Sequence, residues 1–285
     1  MFLARLLVLF SLVCISCAHS SFEQKQLKHA LDFATSNRLE LEILLQHYTY
    51  DSLKLEAAKF LIRNMPHCYS YQQGGEMDSV KRVRTYYSPF GQIDQTYARR
   101  WGHYTYRNLL KIYDAHIITA EYLIDNIDRA FDNWQKRPWN RSLSFEDFCE
   151  YLLPYRIGDE PLEEWRELYE KKYGYLLDSI YKGGDVVEAA NLVSRHLQEP
   201  VFIYCEDFEL PHIGPRYLFS HRYGSCVDAA DIVTYAFRAV GIPCMEDTDA
   251  RGGHVWNVVR DTTGRDVPIW YICLLYTSDA ADEAR

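Results

Sequence analysis

The chain has 285 residues, 48% of them hydrophobic, 15% aromatic and 25% charged, with a formal net charge of −9. No repeat or low-complexity block appears in it. The acidic balance, without a basic stripe, argues against nucleic acid as a partner.

Residues 1–17, MFLARLLVLFSLVCISC, read as a targeting segment. Arg5 is a minimal positive n-region, and Leu6 to Ile15 form an apolar run too short to span a bilayer as a mature helix. Ser16-Cys17 resembles a relaxed bacterial lipobox, which makes Cys17 the expected lipidation site; an ordinary signal-peptide cut near Ala18 is the alternative. Either way the chain is expected to leave the cytoplasm. With a lipid on Cys17 it would sit in the cell envelope, periplasmic or at the outer membrane, held to the membrane by its anchor.

Residues 21–200 read as one helical region. Two or three helices are expected up to Arg63, from the series Leu27-Leu31-Ala34, Leu39-Ile43-Leu44 and Leu53-Ala57-Phe60-Leu61, with Asn64-Met65-Pro66 as a stop. Gly74-Gly75 and Ser88-Pro89 mark loops. A further helix is expected from Arg99 to Phe131, with Leu109, Ile112, Tyr113, His116, Ile117, Ala120 and Ile124 on one face. Tyrosines crowd this half of the chain; at helical spacing they read as partly buried core, with a sugar- or peptide-binding wall as the other option.

Ser144 with Asp147 three residues on is a capping-box-like start for a helix that carries Phe145, Phe148, Tyr151 and Leu152 on its buried face. Tyr155 to Gly158 is a loop, in which Arg156 is either a surface side chain or a group that orients a substrate carboxylate. Pro161 to Leu177 and Asp185 to Leu197 supply two more helices, and Val201 to Tyr204 a short strand.

The stretch from Tyr223 to Asp261 organises the rest. Gly224-Ser225 form a tight turn that delivers Cys226 to the first turn of a helix, whose apolar residues Val227, Ala230, Val233, Ala236, Phe237 and Val240 bury one face. Gly241 is a C-cap and Pro243 blocks continuation. After a polar loop, Gly252-Gly253 lead into a strand, His254 to Val259. The unpaired N–H groups and positive dipole end of a helix favour an anion, so a cysteine at that position loses its proton more easily than a free one. A following imidazole can hold the thiolate and later protonate a leaving group. His254 is the only histidine after the helix, and His221 is a weaker alternative base. Asp228 and Asp231 would repel a thiolate, so they are expected to face away from it.

The runs G-S-C-V-D-A-A (224–230), F-R-A-V-G-I-P-C (237–244) and G-G-H-V-W-N-V-V-R-D (252–261) resemble the transglutaminase-like superfamily, particularly its lipoprotein-type members in Bacteroidetes. The upstream run SLSFEDFCEYLLPYRIGDEPLEEWRELYEKKY is similar to the helical region before that core. The resemblance covers about half of the chain. It implies an α+β protein in which residues 201–272 form a truncated transglutaminase-like, papain-like cysteine protease core after a mainly helical region. It implies Cys226 as nucleophile and His254 as base, acting on an amide of a peptide or protein by hydrolysis or transamidation. The third member would fall near Ile269 or Trp270, where no acid stands; Asp261 and Asp266 flank the hairpin turn and are weak candidates. The alternative is a non-catalytic surface-binding lipoprotein that uses the same fold as a scaffold.

The last thirteen residues, Cys273 to Arg285, match the translation of a transposon-type sequencing adapter and are read as an artefact. Without their three acids and one arginine the net charge is −7. Of the other cysteines, Cys68, Cys149 and Cys205 read as small core residues, and Cys244 could pair with one of them. The histidines, His212 and His221 among them, show no metal-ligand spacing, so neither a metal nor a cofactor is expected.

Overall fold

The computed structural model describes residues 21–75, 77–79, 81–82, 109–199, 202–204, 211–250 and 253–269. The expected targeting segment with Cys17, the residues Cys205, Gly252 and Trp270, and the tail from Cys273 lie outside them. The architecture is mixed α+β and divides into two compact units. One holds the described residues up to Cys68 together with Tyr113–Leu123; the other holds Tyr69–Ile112 and the chain from Ile124 onward. The division therefore runs through the region read from sequence as one helical stretch.

In the first unit three helices follow one another: α1 (residues 21–33), α2 (Arg38–His47) and α3 (Ser52–Asn64). Asp51 caps α3 by accepting from Lys54 N at 3.1 Å. Ala30, Ala34, Leu41, Leu44, Ala57, Ala58, Leu61 and Ile62 fill the core. The rotation of α2 differs from the expected one. Asn37 Nδ2 donates to Ala115 O and Ile118 O, and Glu40 accepts from Ala120 N at 2.7 Å. With residues 37 and 40 turned inward, Leu41 and Leu44 follow at helical spacing, and Leu39 (64% exposed) and Ile43 (41%) are left outside.

The helix expected from Arg99 is corrected where it can be seen. Lys111–Tyr113 is a strand, β2, beside β1 (Tyr69–Tyr71), and helix α4 begins only at Ala120 and runs to Lys136. Thr119 Oγ1 accepts from Tyr122 N and supplies the missing start signal.

In the second unit α5 (Phe145–Tyr151) starts as predicted, with Ser144 Oγ accepting from Asp147 N at 3.0 Å. Helix α6 (Arg166–Tyr175) begins five residues later than Pro161 and passes into a single π turn, Leu176–Ile180. Helix α7 (Val186–Leu197) is capped by Asp185, which accepts from Val187 N and Glu188 N. A short parallel pair, β3 (Ile203–Tyr204) with β4 (Tyr223–Gly224), flanks α8 (Pro215–Ser220). Gly224 thus belongs to a strand rather than to a tight turn. Then come α9 (Cys226–Val240) and an antiparallel sheet ordered β5 (Cys244–Thr248), β6 (Val255–Arg260), β7 (Asp266–Ile269). The strand β5 replaces the polar loop expected after Pro243: its register with β6 pairs Cys244 with Val259 and Thr248 with Val255.

Helix α9 is the centre of this unit. The apolar pattern predicted one buried face, yet every residue from Asp228 to Val240 is buried. Tyr169, Tyr173, Ala189, Val193, Leu218, Val259 and Ile269, from helices and sheet alike, share one core with Ile232, Val233, Ala236 and Phe237 of α9. Its C-terminal carbonyls are satisfied by one segment: Arg137 Nε donates to Val240 O at 2.7 Å, and Trp139 Nε1 and Asn140 Nδ2 both donate to Gly241 O at 2.9 Å.

Candidate active site

Helix α9 reaches solvent only at its beginning, where Ser225, Cys226 and Val227 are half-buried. Cys226 is the first helical residue and its thiol is free. Ser225 is the N-cap, and the Asp228 carboxylate turns back to accept from Ser225 N at 2.8 Å and Ser225 Oγ at 3.2 Å. Asp228 therefore complements the helix dipole while its charge is engaged at the cap.

The topology fixes where His254 falls. Only Gly241, Ile242 and Pro243 separate α9 from β5, so β5 runs back along the helix toward its start. Strand β6 is antiparallel to β5 and so runs with the helix, which brings its leading residue to the Cys226 end. Asn257 Nδ2 locks the two together by donating to Ala230 O at 3.0 Å and Thr234 Oγ1 at 2.9 Å. From that contact Cys226 lies about 6 Å back along the helix axis, and His254 about 10 Å back along the strand. Asp249 holds the approach to the strand: its carboxylate accepts from Gly253 N at 2.7 Å, and its own N–H donates to His254 O at 3.1 Å. His254 and Trp256 are half-buried, with ring centroids 6.1 Å apart.

Asp261 and Asp266 stand at the other end of β6, where Arg260 pairs with Asp266 across the hairpin. Asp261 accepts from Thr263 N, Thr263 Oγ1 and Arg265 N inside the turn, and these bonds hold its carboxyl well below the usual range. Asp266 accepts from Tyr151 Oη and pairs with Arg260; burial first, and this carboxylate second, push the Tyr151 phenol up to about 12. Neither acid is brought to His254. Asn257 faces Ile269 across the sheet, so a partner for His254 on the β7 side would come from beyond the described residues.

A second polar group lies on the side of α9 that carries Asp231, Thr234 and Arg238. Asp231 is 0% exposed, and both its oxygens lie 2.9 Å from His212 Nδ1, on a side chain that is 22% exposed. Thr234 Oγ1 donates to the Glu246 carboxylate at 3.2 Å. Burial alone would lower His212, but the Asp231 carboxylate outweighs it and holds the imidazole protonated well above its ordinary value. Burial, and then Asp231, push Glu246 well above the carboxylate range. As expected, Asp231 is turned away from Cys226, toward its own partner. The signal for this cluster was present in the sequence: polar residues at 231, 234 and 238 follow helical spacing on an otherwise apolar helix.

The loop of residues 151–160 is fixed against the same face by buried arginines. Arg166 Nη2 donates to the carbonyls of Leu152, Leu153 and Pro154, and Arg238 donates to those of Tyr151 and Arg156. Arg156 is itself buried, donating to Glu160 O and pairing with the Glu160 carboxylate at 3.7 Å. That corrects both expectations for Arg156: it is neither a surface side chain nor available to a substrate. Glu160 in turn accepts from Ile157 N and Gly158 N, both at 2.7 Å.

Among the described residues no disulfide joins any pair of cysteines. Cys244 is buried with its thiol pushed up to about 12, chiefly by burial, so it behaves as a core residue. No group of three or more His, Cys, Asp or Glu among the described residues could hold a metal ion, and none of their helices is long and apolar enough to cross a membrane. No family model, curated protein or solved structure matches the chain.

Proposed function

We propose that the chain is an exported, lipid-anchored thiol acyl-transfer enzyme of the transglutaminase-like superfamily, acting on a peptide or protein amide. The observation that carries this reading is that α9, enclosed along its length, meets solvent at the single turn bearing Cys226. Strand order supplies the second support, since it brings His254 to that same end. In the proposed cycle Cys226 Sγ attacks the amide carbonyl and His254 accepts the thiol proton. As the C–N bond breaks, the imidazole returns that proton to the leaving amine and a thioester remains. Water completes a hydrolysis and an amine completes a transamidation. Backbone N–H groups of the first helical turn, which have no partner within the helix, are suited to the oxyanion. The capping box takes two of the N–H groups at this end, that of Ser225 by the Asp228 carboxylate and that of Asp228 by the Ser225 side chain.

Substitution of Cys226 by Ala should abolish amide cleavage of a casein or peptide-library substrate while circular dichroism stays unchanged. Faster alkylation of Cys226 than of free cysteine by iodoacetamide at pH 6, lost in His254→Ala, would accompany it. Retained cleavage in Cys226→Ala would overturn the mechanism. Ordinary alkylation together with no turnover would favour a binding scaffold.

A further inference from the structure

The approach to α9, His221-Arg222-Tyr223-Gly224, buries a cation to which no carboxylate among the described residues is bonded. Arg222 is 4% exposed. Its Nη2 donates to Tyr173 Oη at 2.7 Å, but Nε and Nη1, with one and two N–H groups, have no acceptor among the described residues. A guanidinium cannot escape the cost of burial by losing its proton. An uncompensated charge in a protein interior is among the costliest things a fold can carry, and so it marks a place built for a partner.

A second cation stands next to it. Lys172 precedes Tyr173 on α6, is half-buried, and has its Nζ 4.7 Å from the Phe219 ring centroid and 5.5 Å from that of Tyr173. Burial, and then the positive charge of Arg222, hold its ammonium below the usual range. Described acids on the neighbouring elements are engaged elsewhere. Asp231 is bonded to His212, and Glu163 accepts from Arg216 N at 3.0 Å. Two mutually repelling cations are thus held together in an aromatic surround formed by Tyr169, Tyr173 and Phe219.

We infer that Arg222, Lys172 and the Tyr173 hydroxyl form a binding site for a small oxyanion, a phosphate or a carboxylate, held between the guanidinium and the ammonium group. Each part suits that chemistry. Arg222 offers directional donors to a planar or tetrahedral oxyanion, and Lys172 offers a compact charge from the solvent-reaching side. The surrounding rings exclude water and so strengthen both attractions. The site is independent of Cys226 and does not require the thiol chemistry proposed above.

The test is the thermal unfolding midpoint of the full chain in inorganic phosphate, sulfate or acetate, each against chloride at matched ionic strength. A ligand that binds only the folded state raises the midpoint with its concentration. The expected result is a saturable rise, with apparent affinity weakened about tenfold or more in Lys172→Met, which removes one of the two charges. Arg222→Met should abolish the response and raise the midpoint in anion-free buffer, because the unpaired charge is gone. A response to phosphate and sulfate alone assigns a tetrahedral oxyanion, and a response to acetate alone a carboxylate. No rise beyond chloride with any anion, or an undiminished rise in Lys172→Met, would overturn the site; the lysine variant decides the matter if Arg222→Met fails to fold.

Discussion

Asp231 is a fully buried carboxylate on the helix that carries the candidate nucleophile, and its partner His212 reaches it from a segment 19 residues earlier. Removing one member of a buried pair leaves the other uncompensated, so Asp231→Asn should cost about 3–5 kcal/mol. The pH dependence follows from the raised values of His212 and Glu246. A group raised above its unfolded value stabilises the fold fully below that value and loses its contribution as the pH climbs through the folded one. For His212 the loss begins near pH 6.5, and for Glu246 it begins lower, near pH 4.3, so both weaken the fold toward alkaline pH. Urea unfolding between pH 6 and 9 should show wild type losing stability steadily and Asp231→Asn changing far less; parallel profiles would refute the pairing. In the sequence Asp231 was legible as an acid turned from Cys226, whereas His212 was one histidine among ten. Its bond to Asp231 depends on how the 211–214 segment lies against α9, which no local spacing encodes.

At the level of elements, the strong local signals survived folding and the weak ones did not. Ser144, Asp185 and Gly241 each carry cap chemistry that needs only near neighbours, and each marks an element end within a residue of its expected place. Strand β5 was missed because Cys-Met-Glu-Asp-Thr has three polar side chains in five residues. It is a strand because β6 pairs with it and because Thr234 Oγ1 donates to the Glu246 carboxyl, both nonlocal facts. The helix expected from Arg99 failed at Ile112-Tyr113, where β-forming residues find a partner strand in Tyr69–Tyr71. Gly241 is where element and tertiary packing meet. Its φ is +84°, and an added Cβ would lie 2.7 Å from Asn133 O. Gly241→Ala should therefore destabilise by about 1–3 kcal/mol, more than a helix C-cap substitution in open solvent. Chemical denaturation would measure it, and a cost below about 0.5 kcal/mol, ordinary for an unconstrained surface site, would show that the chain yields at Asn133 and Arg137.

Over the whole molecule, two compact units with separate cores predict two unfolding events. Calorimetry should resolve two transitions, and Asp231→Asn or Gly241→Ala should lower only one of them, since both residues lie in the unit that contains α9. A single transition displaced as a whole by either substitution would show that the units unfold together. Cys226 and His254 could be singled out as candidates because their spacing and their glycine and tryptophan neighbours lie within one continuous stretch. No acid for a third position was legible there, and β7 is described only as far as Ile269, which pairs with Asn257.

The enclosure of α9 has a consequence for when the first turn of that helix takes its final form. A helix that borders the surface can form early and carry its reactive groups through half-folded states. This one has helices and sheet closing over every residue from Asp228 to Val240. Its first turn can be held in place only after both sides have assembled around the rest. Whatever Cys226 does is therefore conditional on a finished fold, and a chain caught before folding is complete, or damaged afterwards, would carry the thiol without its setting.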